Sequence, residues 1–118
     1  MSIMTNNGNF DPAILNELND MQQQLYPSLE LLKKSGRELA EKERIYKEAL
    51  SEEALRLKDG GMAVTMIDKI IYGRREVSSK RFERDVAEVM YKAAQERINL
   101  LKLKTKIIEA QVEREWNG

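Results

Sequence analysis

The sequence predicts an all-α protein: a long antiparallel helical hairpin of coiled-coil character, with a short helical tip, a short N-terminal helix and a second copy completing its core. Three observations carry this expectation. Ser79 to Trp116 is a run of 38 residues without Pro or Gly. Within it Phe82, Val86, Val89, Ala93, Leu100, Leu103, Ile107 and Ala110 recur in steps of three and four, with Glu96 in the one gap, which keeps them on one helix face. A second stripe, Met90, Ala94, Ile98, Leu101, Ile108 and Val112, runs beside the first. Together the stripes span roughly 240° of the circumference, against the ~100° that one partner helix covers, so a single neighbour leaves part of the arc unburied.

Composition fits long helices with much surface. The 118 residues suit one domain (1–118), 42% are apolar and 34% charged, and there are only 6 Gly and 2 Pro. A thin core is the consequence, and self-association the expected remedy. The 20 basic and 20 acidic side chains cancel, so no global field draws the chain to nucleic acid or an anionic membrane. The distribution is less even: residues 69–84 hold six basic side chains against two acidic ones. Absence of Cys and of a signal peptide points to the cytoplasm, and no apolar run approaches the ~20 residues of a membrane span.

In chain order, residues 1–10 lack periodicity and read as a flexible arm. Asp11 reads as an N-cap with Pro12 at the first helical position, opening a short helix over 11–24 whose apolar face is Ile14, Leu15, Leu18 and Met21. Pro27 predicts a kink or break between Gln24 and Ser28. A long helix over 28–58 follows, its seam reading Leu25, Leu29, Leu32, Gly36, Leu39, Glu43, Tyr46, Leu50, Glu53 and Leu57, with Gly36 suited to a close approach of another backbone. Asp59-Gly60-Gly61 ends it and opens a tip over 59–78. Thr65 and Asp68 have capping-box spacing, predicting a short helix over 66–72, with Arg74 to Ser78 as the turn into the helix of 79–116. Phe82 is expected to be buried near Tyr46, Leu50 or Leu57.

The tip is the candidate functional surface. Lys69, Arg74, Arg75, Lys80, Arg81 and Arg84 surround a helix start, where unpaired N–H groups and guanidinium groups together suit a phosphate or an acidic side chain. The plainer account is that they solvate the helix and pair with Glu76, Glu83 and Asp85. Self-association is expected through Met90, Leu101, Ile108, Val112 and Trp116. Residues 11–24 are the alternative cover for that stripe. Glu43, Glu53 and Glu96 lie on or beside the seams, yet without His they lack the nitrogen ligands of a carboxylate-bridged metal bundle. No catalytic residue, metal site or cofactor is therefore expected, and an enzyme is not.

Two resemblances bear on function. Gly61-Met62-Ala63-Val64-Thr65 and Ile70-Ile71-Tyr72-Gly73-Arg74-Arg75 resemble the recognition helix and following loop of phage-repressor-type helix-turn-helix domains, although such domains continue with further short helices where this chain has a long one. Over residues 40–116 the chain is similar to small helical proteins encoded by phages and prophages of Gram-positive bacteria. Glu43-Arg44-Ile45-Tyr46-Lys47-Glu48-Ala49-Leu50, Arg81-Phe82-Glu83-Arg84-Asp85-Val86-Ala87-Glu88, Ala93-Ala94-Gln95-Glu96-Arg97-Ile98-Asn99 and Arg114-Glu115-Trp116 carry that similarity. It implies a non-enzymatic accessory factor for DNA replication or recombination, working in the host cytoplasm through a host or phage protein and through nucleic acid at the tip. An inhibitor of a host protein or defence system, by surface blocking or by capture of a small phosphorylated ligand, is the alternative. A structural or assembly protein is the third.

Overall fold

A computed structural model describes residues 12–117. They form helix α1 (Pro12–Asp59), helix α2 (Val64–Ile70), a 3-10 turn (Ile71–Gly73) and helix α3 (Arg75–Asn117), with no strand among the described residues. The expected arm at 1–10 and the Asp11 cap lie outside them. The chain divides into two compact units, Met1–Leu32 with Ala93–Gly118, and Lys33–Lys92.

In the first unit α1 and α3 run antiparallel. Ile14, Met21, Leu101 and Ile108 form its core, with Leu18 and Val112 packed alongside. Thr105 donates its hydroxyl to the Leu101 carbonyl at 2.9 Å and lies 4.0 Å from the Met21 sulfur. Thus Ile14, Leu18 and Met21, which belong to the alternative cover, are found over the Leu101 and Ile108 stripe.

The expected break at Pro27 is absent, because α1 continues through it. An interior proline costs ~3 kcal/mol by removing one hydrogen bond and crowding the carbonyl four residues back. Burial on either side holds the helix against that cost: Met21 and Ser28 are both buried, and the Ser28 hydroxyl donates to the Gln24 carbonyl at 2.7 Å. The short helix and the long helix are therefore one.

In the second unit the antiparallel order reads from three contacts in turn. Gly36 faces the Tyr91 ring, Tyr46 lies under the Arg84 guanidinium at 4.9 Å, and Glu53 accepts from Arg74 at 3.0 Å. The close approach at Gly36 is thus by a side chain, since a Cβ there would sit 3.2 Å from Tyr91 Cε2. The core is Tyr46, Leu57, Ile67, Ile71 and Val77, with Leu50, Ala54, Met62 and Ile70 around it. All of it lies where the hairpin closes.

Local chemistry explains each turn of the tip. Gly61, at φ 91°, takes the left-handed conformation that ends α1. Its N–H reaches the Lys58 carbonyl at 3.0 Å while Met62 N–H reaches Leu57 at 3.1 Å, a Schellman arrangement that satisfies two terminal carbonyls. Helix α2 begins two residues before the expected 66, and Thr65 is inside it rather than capping it. Ala63, extended and without a side-chain cap, accepts at 3.0 Å from both Met66 and Ile67. That earlier start keeps Ile67 and Ile71, four residues apart, turned to the core.

Helix α3 also starts early, at Arg75 rather than Ser79. Arg74 is extended and its carbonyl accepts from Ser78 N–H at 2.8 Å. The extra turn carries Val77 into the core, where it is 0% exposed. This burial is what the expected loop over Arg74 to Ser78 could not supply.

The largest departure concerns the two stripes of α3. Of the half-buried and buried positions, Val77, Lys80, Arg84, Ala87, Tyr91, Ala94, Ile98, Leu101, Thr105, Ile108, Val112 and Glu115 follow an alternation of threes and fours, and Glu83, Glu88 and Gln111 lie half-buried on its flanks. The stripe one residue back, read as the intrachain seam, faces outward: Phe82 is 69% exposed, and Val86, Val89, Leu100, Leu103 and Ile107 are exposed too. Phe82 does not pack on Tyr46, Leu50 or Leu57. Small inward residues, Ala87 and Ala94, together with the stems of Lys80 and Arg84, form the face that turns inward.

Candidate interaction surface

The basic residues of the tip do not converge on one point. Arg74 pairs with Glu53, Lys80 with Glu83 at 3.5 Å, and Arg84 with Asp85 at 2.9 Å. Arg81 stacks over the Tyr72 ring at 5.6 Å. Glu53 receives Arg56 at 2.5 Å as well as Arg74, and these hydrogen bonds, Arg56 first, hold its carboxyl below the usual range despite the opposing effect of burial. Lys69 and Arg75 are exposed and have no ion pair among the described residues. Three of the six are thus ion-paired, Lys80 and Arg84 with the expected acids and Arg74 with Glu53, a fourth is stacked on a ring, and a preformed phosphate cradle is not what these side chains build.

What the tip does present is apolar. Val64, Met66 and Tyr72 are exposed, Val64 at 59%, on the short helix and turn whose opposite side, Ile67 and Ile71, is anchored in the core. These three were not singled out by spacing, because seven residues of helix are too short to show a period.

The residues expected to join two copies are split. Leu101 and Ile108, 6% and 3% exposed, are covered within the chain by Ile14 and Met21, and Val112 is half-buried beside them. That stripe is therefore not a free face. Met90 and Trp116 are exposed. Trp116 rims a shallow hollow of about 350 Å³ with Leu18, Ile108 and Val112. Met90 lines a groove of about 210 Å³ with Phe82 and Val86 of α3 and Ser35, Glu38 and Lys42 of α1.

Of the seam glutamates, Glu43 and Glu53 are ion-paired and Glu96 is exposed. Glu43 pairs with Lys47 at 3.7 Å, and next to it Arg44 bridges Glu41 and Glu48. The Arg44 hydrogen bond lowers the Glu41 pKa, and Glu41 in turn raises that of Arg44. A broader hollow of about 560 Å³ over Ala40, Glu43, Lys47 and Ser51 is lined by α1 alone, and one helix face cannot enclose a ligand. Among the described residues no group of three or more acidic side chains could hold a metal ion, and no helix is long and apolar enough to cross a membrane. Compared with protein families, curated proteins and solved structures, the chain gives no match.

Proposed function

We propose that this protein is a non-enzymatic accessory factor that acts by holding a protein partner at the hairpin tip. One observation carries the reading: Val64, Met66 and Tyr72 are exposed on an element whose other side is fixed in the Ile67, Ile71 and Val77 core. Exposed apolar side chains on a rigid support lose little conformational freedom on binding, and aromatic and methionine side chains are enriched where proteins meet. Lys69 on the same helix, Arg75 just after the turn and Arg81 stacked on Tyr72 add positive charge to the tip and favour a partner that carries acidic groups beside apolar ones. DNA replication or recombination of a phage, in the host cytoplasm, is the process that the similarity over residues 40–116 suggests.

Contact with protein is preferred to base reading or to capture of a phosphorylated ligand for two reasons. Arg74, Arg81 and Arg84 are engaged with Glu53, Tyr72 and Asp85, and α2 carries the acidic Asp68 among its exposed residues, which a major groove would repel. A photo-crosslinking residue at position 72 should yield one discrete adduct in phage-infected cells. The same residue at Lys102 should not, and Met66→Asp should remove the adduct without altering helicity. Whether the adduct is a host or a phage protein separates inhibitor from replication factor. Adducts indifferent to position, or duplex DNA binding that weakens with salt and disappears in Arg75→Ala, would replace this reading with the DNA one.

A further inference from the structure

The outward stripe of α3 is the largest unexplained feature of the molecule. Phe82, Val86, Val89, Leu100, Leu103 and Ile107 are between 46% and 69% exposed, and with Ala93 and Glu96 they form an uninterrupted heptad pattern along one helix. At roughly 100 Å² of exposed side chain each they offer about 600 Å² per copy, so two copies would bury ~1,200 Å², the lower bound of specific interfaces. The chemistry of the stripe and its flanks selects the occupant. We propose that it is a second copy of this chain, with the two α3 helices antiparallel and the two-fold axis passing between positions 94 and 95.

In that register Phe82 meets the second copy's Ile107, Val86 its Leu103, Val89 its Leu100, and Ala93 its Glu96. Every large apolar residue of the stripe is covered, and the polar residue faces the small one, where a carboxylate has room to reach water. The flanking positions agree. Glu83 comes opposite the second copy's Lys104, and Asp85 opposite its Lys106; the partners these acids have within the chain, Lys80 and Arg84, are surface contacts that leave them able to share. Remaining flank pairs, Met90 with Arg97 and Lys92 with Asn99, hold no like charges.

Other arrangements are worse on the same grounds. Parallel helices in register stack Glu96 on Glu96 inside the seam and set Lys92 against Arg97. Sliding the antiparallel pair one heptad toward the C-termini brings Asp85 onto Glu113, Lys92 onto Lys106 and Arg97 onto its own copy. Sliding it the other way leaves Leu103 and Ile107 uncovered and sets Lys92 against Lys92. The polar centre and the charged flanks thus name one register.

The natural chain has no cysteine, so engineered thiols report cleanly. Mixing Val89→Cys with Leu100→Cys chains under mild oxidation should give the mixed disulfide dimer, while Leu100→Cys alone should remain largely uncrosslinked. Efficient crosslinking of Leu100→Cys to itself would mean a parallel pair and overturn the proposal. So would a monomer mass by analytical ultracentrifugation up to the millimolar range. Glu83→Lys should weaken the dimer about two- to five-fold, and adding Lys104→Glu should restore it. Failure of that rescue removes the register. Val64, Met66 and Tyr72 lie outside this stripe, so the Val89 and Leu100 variants leave the partner-binding reading untouched, and Met66→Asp should not alter the dimer.

Discussion

Val77→Ala is the sharpest test of how the tip is held together. Val77 is 0% exposed in the first turn of α3 and touches a core built from the end of α1, from α2 and from the 3-10 turn. The substitution removes two methyl groups from water-free surroundings, about 1.6 kcal/mol at ~0.8 kcal/mol for each. A cavity that cannot close adds to this at ~24 cal/mol per Å³. Against it stands a few tenths of a kcal/mol of improved helix propensity. The net loss should be about 1.5 to 2.5 kcal/mol, read from urea unfolding by circular dichroism at 222 nm with an unchanged m-value. The control is the same substitution at Val64, which is 59% exposed and should stay within ~0.5 kcal/mol of the parent. Equal effects at both positions would show that the early start of α3 contributes nothing to the core. Hydrogen exchange gives a second reading: amides of Val64–Ile70 should lose protection in Val77→Ala before those of the first unit.

Two further substitutions probe the long helices. Pro27→Ala should stabilise the chain by about 1 to 3 kcal/mol, since it restores a hydrogen bond in a helix that already continues through this point. A loss of stability on thermal or urea unfolding would mean that the proline sets a bend on which the Met21 and Ser28 packing depends. Glu53→Gln tests the ion pair that ties α1 to Arg74. Its carboxyl has a folded pKa below the unfolded value of 4.5, so its contribution is present at neutral pH and lost as pH falls through the folded value. The substituted and parent proteins should therefore differ in stability at pH 7 and converge in acid, once the pH has fallen through the folded value. A difference that persisted into acid would locate the effect in packing rather than charge.

Period and breakers made the hairpin legible, and residue types misled at the points where they disagreed with the period. The turn at Gly60-Gly61 and the pairing of two long helices follow from glycine and heptads alone. Which face of α3 turns inward does not: the outward stripe is richer in large apolar residues than the inward one, which holds Lys80, Arg84, Thr105 and Glu115. Hydrophobicity ranked the faces one way, and the small residues Ala87 and Ala94, with Gly36 receiving Tyr91, decided the other. Pro27 was given its usual weight, which burial at Met21 and Ser28 exceeds. At the site, the basic residues of the tip were countable in sequence, but their acceptors were not. Glu53 is 21 positions from Arg74, and no local pattern connects them.

The position of the second unit's core also sets an order of events. Leu57 and Val77 come together by closing a loop of about 20 residues, whereas Met21 and Thr105 are separated by 84. Closing the longer loop directly would cost about 1.3 kcal/mol more in chain entropy, by the (3/2)RT ln n rule. Chain entropy therefore favours closing the Leu57–Val77 loop, around the Schellman turn and α2, before the Met21–Thr105 one. Contacts of low sequence separation are the cheaper ones to form first. A chain cut back at both ends would retain its nucleus, whereas a change at the nucleus slows the closing of everything beyond it.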